Sequence, residues 1–372
     1  MQAPHWRIMR ILVLWTAAAG LAAMAATAPG RMAAVDRTAP LRAVYSGPPE
    51  TWPPPHLDAG VTYVELAPRA LPPAPRPGSP DEARARLGER LFSDPALSDS
   101  GQIACESCHN RRLGWGDGLP RSIGHDRQEG PRNAPALFTA GAGLPLFWDG
   151  RADNLPEQAL GPLTSPVEMA NHDLAAIPAR LMARPDYPRL FAEAYGPGPI
   201  TLDQVTDALA RFQTHLDRPT RLDRFLSGDP RALSDQEILG LHLFRTRARC
   251  ANCHFGPLLA DGRFHDLGLS WFNRSFEDLG RFAVSGDPAD VGAFRTPSLR
   301  HVSRTGPYMH NGLFPHLVGV VRLYAAGGGS SAAPDPARPV LAEAARTTSP
   351  LLHRLDLDEA EIAALVAFLE AI

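Results

Sequence analysis

A mainly α fold of two tandem units with long loops is what this 372-residue sequence predicts. Three observations predict it. The pentapeptide Cys-x-x-Cys-His occurs twice, as Cys105-Glu106-Ser107-Cys108-His109 and Cys250-Ala251-Asn252-Cys253-His254, and uses all four cysteines. Each copy follows a helix signature of the same form. Strand-like alternation of apolar and polar residues is scarce along the chain.

The N-terminus reads as an export leader. Arg7 and Arg10 precede an apolar run from Ile11 to Ala26, which ends in the small residues Ala26-Thr27-Ala28. That pattern is expected of a cleaved secretory signal over 1–28, in preference to an uncleaved anchor, because the run is short and alanine-rich. No other stretch could span a bilayer, so a periplasmic protein without a membrane span is expected. From 29 to 78 the chain is dense in proline, as in Pro53-Pro54-Pro55 and Pro72-Pro73. Proline has no N–H donor and a fixed φ, so regular helix is not expected there. An extended tether wrapping the first unit is the expectation, with a short strand at Val61–Leu66.

Then a pattern occurs twice. Ser79-Pro80-Asp81-Glu82 has the form of a helix capping box, followed by Leu87 and Leu91 one turn apart and by Gly88-Glu89-Arg90-Leu91-Phe92. Ser234-Asp235-Gln236-Glu237 repeats the box, and Gly240-Leu241-His242-Leu243-Phe244 repeats the run. Capped helix, Gly-x-x-Leu-Phe and pentapeptide recur in order, which is the mark of a duplicated unit. Helical spacing continues at Val205/Leu209/Phe212. At the C-terminus it returns at Ile362/Leu365/Val366/Leu369, with Asp358 as the cap. The expected units are 79–230 and 231–372.

The pentapeptide attaches c-type haem. On one helical turn the two thiols and the imidazole share a face, so the thiols reach the haem vinyl groups while the imidazole reaches iron. A structural zinc site would also use four thiolates, but the histidine after each pair and the wide gap between pairs fit haem better. A thioredoxin-like Cys-x-x-Cys would need a βαβ context that is missing. The fold class is therefore two tandem cytochrome c-like haem domains, with Cys105, Cys108, His109 and Cys250, Cys253, His254 as haem-binding residues. The net charge of −3 and the lack of a basic cluster exclude nucleic acid as a partner.

Function turns on the second axial position of each haem. An electron carrier fills it, whereas a peroxide-binding haem keeps it open or labile. Beyond the leader and Met32, only Met169, Met182 and Met309 remain, and only Met309 follows the second pentapeptide.

Several further runs fall in a recognisable order. They are Ser122-Ile123-Gly124-His125, Gly130-Pro131-Arg132-Asn133-Ala134-Pro135 and Phe147-Trp148-Asp149-Gly150-Arg151-Ala152. Later come Phe294-Arg295-Thr296-Pro297-Ser298-Leu299-Arg300 and Thr305-Gly306-Pro307-Tyr308-Met309-His310-Asn311-Gly312. In these, roughly from residue 80 to the end, the chain resembles the bacterial di-haem cytochrome c peroxidase and MauG superfamily.

The resemblance implies roles. His125 matches the histidine that, in the peroxidase branch, occupies the distal site of the N-terminal haem until the other haem is reduced. Tyr324 stands where that branch has a methionine ligand and MauG-like enzymes a tyrosine. Met309 matches a methionine that is not a ligand in MauG-like sequences. Glu168 matches the distal acid and Gln158 the pocket amide, the pair that moves a proton across peroxide as O–O breaks. His172 is a weaker alternative to Glu168. Trp148 matches the tryptophan lying between the haems. Asn133, Thr305 and Pro307 match a calcium site of neutral oxygen ligands.

The expected cofactors are thus two covalent c-type haems and one Ca²⁺. The leading reading is a periplasmic di-haem peroxidase. It reduces H2O2 at the N-terminal haem with electrons relayed through the C-terminal haem. Those electrons come from a small periplasmic redox protein, either a c-type cytochrome or a cupredoxin. A MauG-like oxidase is the alternative, oxidising a protein substrate through two coupled ferryl haems. Tyr324 favours it. Ala248 disfavours it, standing where such an enzyme has an exit tryptophan, although Trp271 offers another exit. A non-catalytic electron carrier is the third reading, opposed by the Glu168/Gln158 pair. Members of the peroxidase branch are often dimers, so a homodimer is also an expectation of the resemblance.

Overall fold

A computed structural model describes residues 39–372, so the expected leader over 1–28 and the first part of the tether lie outside the described residues. The fold is mainly helical. The first half carries α1 (Ala39–Tyr45), α2 (Pro80–Phe92), α3 (Leu155–Thr164), α4 (Ala176–Met182), α5 (Tyr187–Tyr195) and α6 (Leu202–Thr214). The second half carries α7 (Arg221–Leu226), α8 (Asp235–Arg245), α9 (Phe282–Ser285), α10 (Leu317–Ala325), α11 (Pro339–Ala344) and α12 (Glu359–Leu369). One antiparallel pair, β1 (Phe264–Asp266) and β2 (Ala293–Arg295), sets Phe264 opposite Arg295 and Asp266 opposite Ala293. Among the described residues no helix is long and apolar enough to cross a membrane.

The expected helix starts are built as caps. Ser234 accepts from the Glu237 N–H while the Glu237 carboxylate accepts from the Ser234 N–H, and Asp358 with Glu361 repeats that exchange before α12. At α2 the box is only half closed. Ser79 caps Glu82, but the Glu82 carboxylate reaches one residue further back, to the Gly78 N–H at 2.7 Å. Each satisfied N–H removes an orphan donor from a first turn.

The repeated Gly-x-x-Leu-Phe has a packing reason. α2 crosses α6 so closely that a Cβ on Gly88 would stand 1.9 Å from the Ala208 carbonyl oxygen. In the second half α8 crosses α12, and a Cβ on Gly240 would stand 2.0 Å from the Ala364 oxygen. One turn on, Phe92 meets Phe212 and Phe244 meets Phe368, both at 5.2 Å between ring centroids. The same glycine contact and the same aromatic pair thus lock each crossing. A methyl group here collides with backbone that cannot rotate away. Gly240→Ala is therefore expected to lower stability by about 1–3 kcal/mol through overpacking, and an unchanged urea midpoint would contradict it.

Two large apolar cores result. One gathers Leu87, Leu91, Ile177, Tyr187, Val205 and Leu209; the other gathers Leu222, Ile238, Leu241, Phe244, Leu365 and Phe368.

The tether departs from expectation in three ways. Ala39–Tyr45 is helical, because beyond Pro40 the run to Tyr45 contains no proline. Val61–Leu66 forms no strand; its Val64 carbonyl accepts a single bond from the Gly256 N–H. The tether covers the second unit where the first was expected: Tyr45, Trp52 and Leu66 are buried in the second core. The physical reason is Arg245, the last residue of α8 and 1 % exposed. Its guanidinium pairs with Glu65, bonds the Tyr63 hydroxyl and the Pro53 carbonyl, and lies over the Trp52 ring. A buried guanidinium needs such partners, and only the tether supplies them.

Candidate functional site

Each pentapeptide forms one tight turn. The N–H groups of Cys108 and His109 both bond the Cys105 carbonyl, and Cys253 and His254 bond Cys250 in the same way. That turn places both thiols and the imidazole of each set on the wall of one cavity. The imidazoles are oriented from behind. His109 Nδ1 lies 3.0 Å from the Trp115 carbonyl oxygen, and His254 Nδ1 lies 2.8 Å from that of Leu259. Nδ1 must therefore carry the proton, which leaves Nε2 as a free lone pair for a metal. Burial pushes both imidazoles below their ordinary pKa, against the pull of those carbonyls, which favours the neutral ring that a metal needs.

The thiols are held un-ionised. Burial pushes Cys105, Cys250 and Cys253 up to about 12 and Cys108 up to about 11. Cys253 lies within 4.8 Å of Asp261 and His265, but those two are paired with each other at 2.7 Å. The cavities enclose about 2390 Å³ and 1960 Å³ of empty space, mouths included. Thiol pair, oriented imidazole and space fit a covalently attached haem in each cavity.

Cavity one, beside His109, receives both members of the expected proton-moving pair. Gln158 comes from α3, and Glu168 from the turn that follows it. Pro166 follows the end of α3, and the Glu168, Met169, Ala170 and Asn171 N–H groups fold back onto Ser165, Pro162, Ser165 and Leu163 carbonyls. Burial raises the Glu168 carboxyl above its usual range, with Arg151 pulling the other way. The α2–α6 crossing supplies the back wall through Phe92, Leu209 and Gln213.

His125 does not line either cavity. Its backbone N–H bonds the Glu168 carbonyl at 3.0 Å, while its Nε2 lies 3.4 Å from the Asp126 carboxylate. His172 does not line a cavity either.

Tyr324, on α10, joins Cys250, Cys253 and His254 in the wall of cavity two. Burial holds its phenol far above the ordinary value, and the neighbouring Cys253 and Cys250 push the same way. Met309 lines the same cavity, its backbone at φ 72°.

Trp148 belongs to both walls. It stands at the tip of a pinched loop, where the Leu146 N–H bonds the Ala152 carbonyl at 2.9 Å. Its indole N–H donates to the Asn133 carbonyl at 2.9 Å. The next residue, Asp149, is buried between Arg132 and Arg151, and Arg132 continues to Asp278 at 2.6 Å. The loop is thereby anchored to both halves of the chain. Arg132, Asp149 and Arg151 stand inside runs quoted above, yet nothing in those runs marked them as partners, since Asp278 lies far away in sequence. Arg295, also common to both walls, was missed for the same reason.

Asn133, Thr305 and Pro307 all line cavity two. The Asn133 amide donates to the Leu119 carbonyl at 2.8 Å, so its Oδ1 is the atom left for a cation.

Residues 82–231 match the family described as di-haem cytochrome c peroxidase. The chain is 40% identical over 231 residues to cytochrome c551 peroxidase of Nitrosomonas europaea, covering 61% of this chain and 68% of that protein. It is 41% identical over 266 residues to methylamine utilization protein MauG of Methylorubrum extorquens, covering 70% and 73%. Among solved structures, a MauG-like protein associated with microbial copper homeostasis matches with a TM-score of 0.70 at 33% identity, covering 85% of this chain and 95% of that one. These relatives lead to one conclusion: the chain belongs to the di-haem cytochrome c peroxidase family and is an oxidoreductase of that type.

Proposed function

We propose that this chain is a periplasmic peroxidase that reduces H2O2 in cavity one, with electrons relayed from cavity two. The observation that carries this reading is Glu168: a carboxyl pushed upward by burial, on the wall shared with His109 and Gln158. An electron carrier has no use for such a group. When bound, the haems supply the redox centres, one for peroxide and one for the electron donor. The protein moves protons. Glu168 takes the proton from the nearer peroxide oxygen and returns it to the leaving oxygen, and the Gln158 amide orients the substrate. Consumption of one H2O2 takes up two electrons and two protons and yields two waters.

The electrons come from a small c-type cytochrome or cupredoxin. The test is to supply such a protein in reduced form and count its oxidation against peroxide. Two equivalents per H2O2 are expected; no oxidation above the peroxide-only control would sink the reading.

A MauG-like oxidation of a protein substrate is the second reading. Tyr324 in the wall of cavity two supports it, and so does His125 lying away from cavity one. On this reading Tyr324 would help hold the second haem by offering its phenolate oxygen to the iron, and His125 would be a loop residue. Tyr324→Phe is then expected to abolish the low-spin spectrum of that haem; an unchanged spectrum would remove Tyr324 from the ligand set.

We also infer a Ca²⁺ held by Asn133 Oδ1 and the Thr305 and Pro307 carbonyls. Neutral oxygens suit a hard, removable cation. Chelation is expected to alter the haem spectra and lower activity, and reversal on adding Ca²⁺ completes the test.

A further inference from the structure

Among the described residues, three arginines at or near the cavities and the tether have acid partners, and Arg295 has none. Arg132 pairs with Asp149 and Asp278, Arg245 with Glu65, and Arg300 with Asp223. Arg295 has no carboxylate within salt-bridge reach among the described residues. Its side chain makes a single hydrogen bond, from Nε to the Phe147 carbonyl at 3.1 Å. Burial without a compensating acid pulls its guanidinium down to about 10. The terminal nitrogens are therefore unused donors on a cation that is expensive to leave unpaired.

Where Arg295 stands identifies the missing anion. It ends β2 and forms part of the wall of both cavities. It is also clamped to the loop of Trp148, since its own N–H bonds the Trp148 carbonyl at 2.8 Å. Cations elsewhere on those walls are already engaged: Arg132 and Arg151 by Asp149, and Arg300 by Asp223. Each haem brings its own carboxylates, the propionates. A planar fork of donors takes two carboxylates at once, which an ammonium cannot do with comparable geometry.

We propose that Arg295 is the shared counter-ion of the two haems, its guanidinium taking a propionate from each across the wall that holds Trp148. It is a positioning residue: it fixes the two redox groups relative to one another and raises the potential of both. The inference rests on both cavities holding haem. That premise is tested separately, by counting two haems per chain in the pyridine haemochrome assay of wild-type and variant protein.

The experiment is a spectroelectrochemical titration of the holoprotein and of Arg295→Gln. Removing a positive charge favours the more positive ferric state, so the midpoint potentials of both haems are expected to shift downward together. Arg295→Lys keeps the charge but loses the fork, and it is expected to move both in the same direction by a smaller step. It carries the test if the glutamine variant does not load haem. With two haems present, a shift at one haem alone, or at neither, overturns the proposal. A merely structural role for Arg295 would lower the melting temperature and leave the potentials in place.

Discussion

Glu168→Gln is expected to keep both haems and slow peroxide consumption by about 10²-fold or more, the range that a positioned proton-transfer group supplies. The substitution preserves size and removes only the ability to receive and return a proton. The turn carrying residue 168 is held by backbone bonds to Pro162, Leu163 and Ser165, none of which involves the carboxylate. Folding is therefore spared. The pH profile gives a second signature. Glu168 must be ionised to take the first proton, so activity falls as pH falls through its pKa. Burial raises that pKa, which puts the acid limb above the ordinary glutamate value of about 4.3. In Glu168→Gln that limb is expected to vanish. Normal turnover in the variant would remove Glu168 from the mechanism.

Trp148→Phe is expected to uncouple the two haems. The indole lies in the wall common to both cavities and is fixed by its bond to the Asn133 carbonyl and by the Asp149–Arg132 anchor beside it. Phenylalanine keeps an aromatic ring but loses the N–H and the easily oxidised indole. Losing one hydrogen bond should cost about 1 kcal/mol, so the protein remains folded. Rapid mixing of the reduced protein with peroxide would then lose the fast oxidation of the second haem, while the first still reacts. If that fast phase survived, Trp148 would be packing and nothing more.

The helices at the back of each site were legible because their signals are local. A capping box, a glycine and two apolar residues one turn apart lie within a dozen positions, and the same physics built them twice. Glu237 shows it, closing its box as the spacing suggested, and Asp358 caps α12 as expected. The haem-binding sets were legible for the same reason, since cysteine and histidine within one turn need no tertiary information. The tether was misplaced because its fate is decided at a distance. Arg245 and Glu65 find each other across 180 positions, and no composition argument foretells that pair. Trp148, Glu168 and Gln158 were reached through resemblance, and their convergence on a cavity is a tertiary fact. His125 was likewise reached through resemblance, and its Nε2 stands 3.4 Å from the Asp126 carboxylate.

The central claim is that peroxide is reduced in the Glu168 cavity by electrons drawn through the second haem. Its most direct test is a single turnover, in which fully reduced holoprotein is mixed with one equivalent of H2O2 and both haem spectra are followed. The account predicts that both haems are oxidised, one electron from each, with the peroxide fully consumed. Persistence of both reduced spectra, with peroxide left in solution, would contradict it and leave an electron carrier.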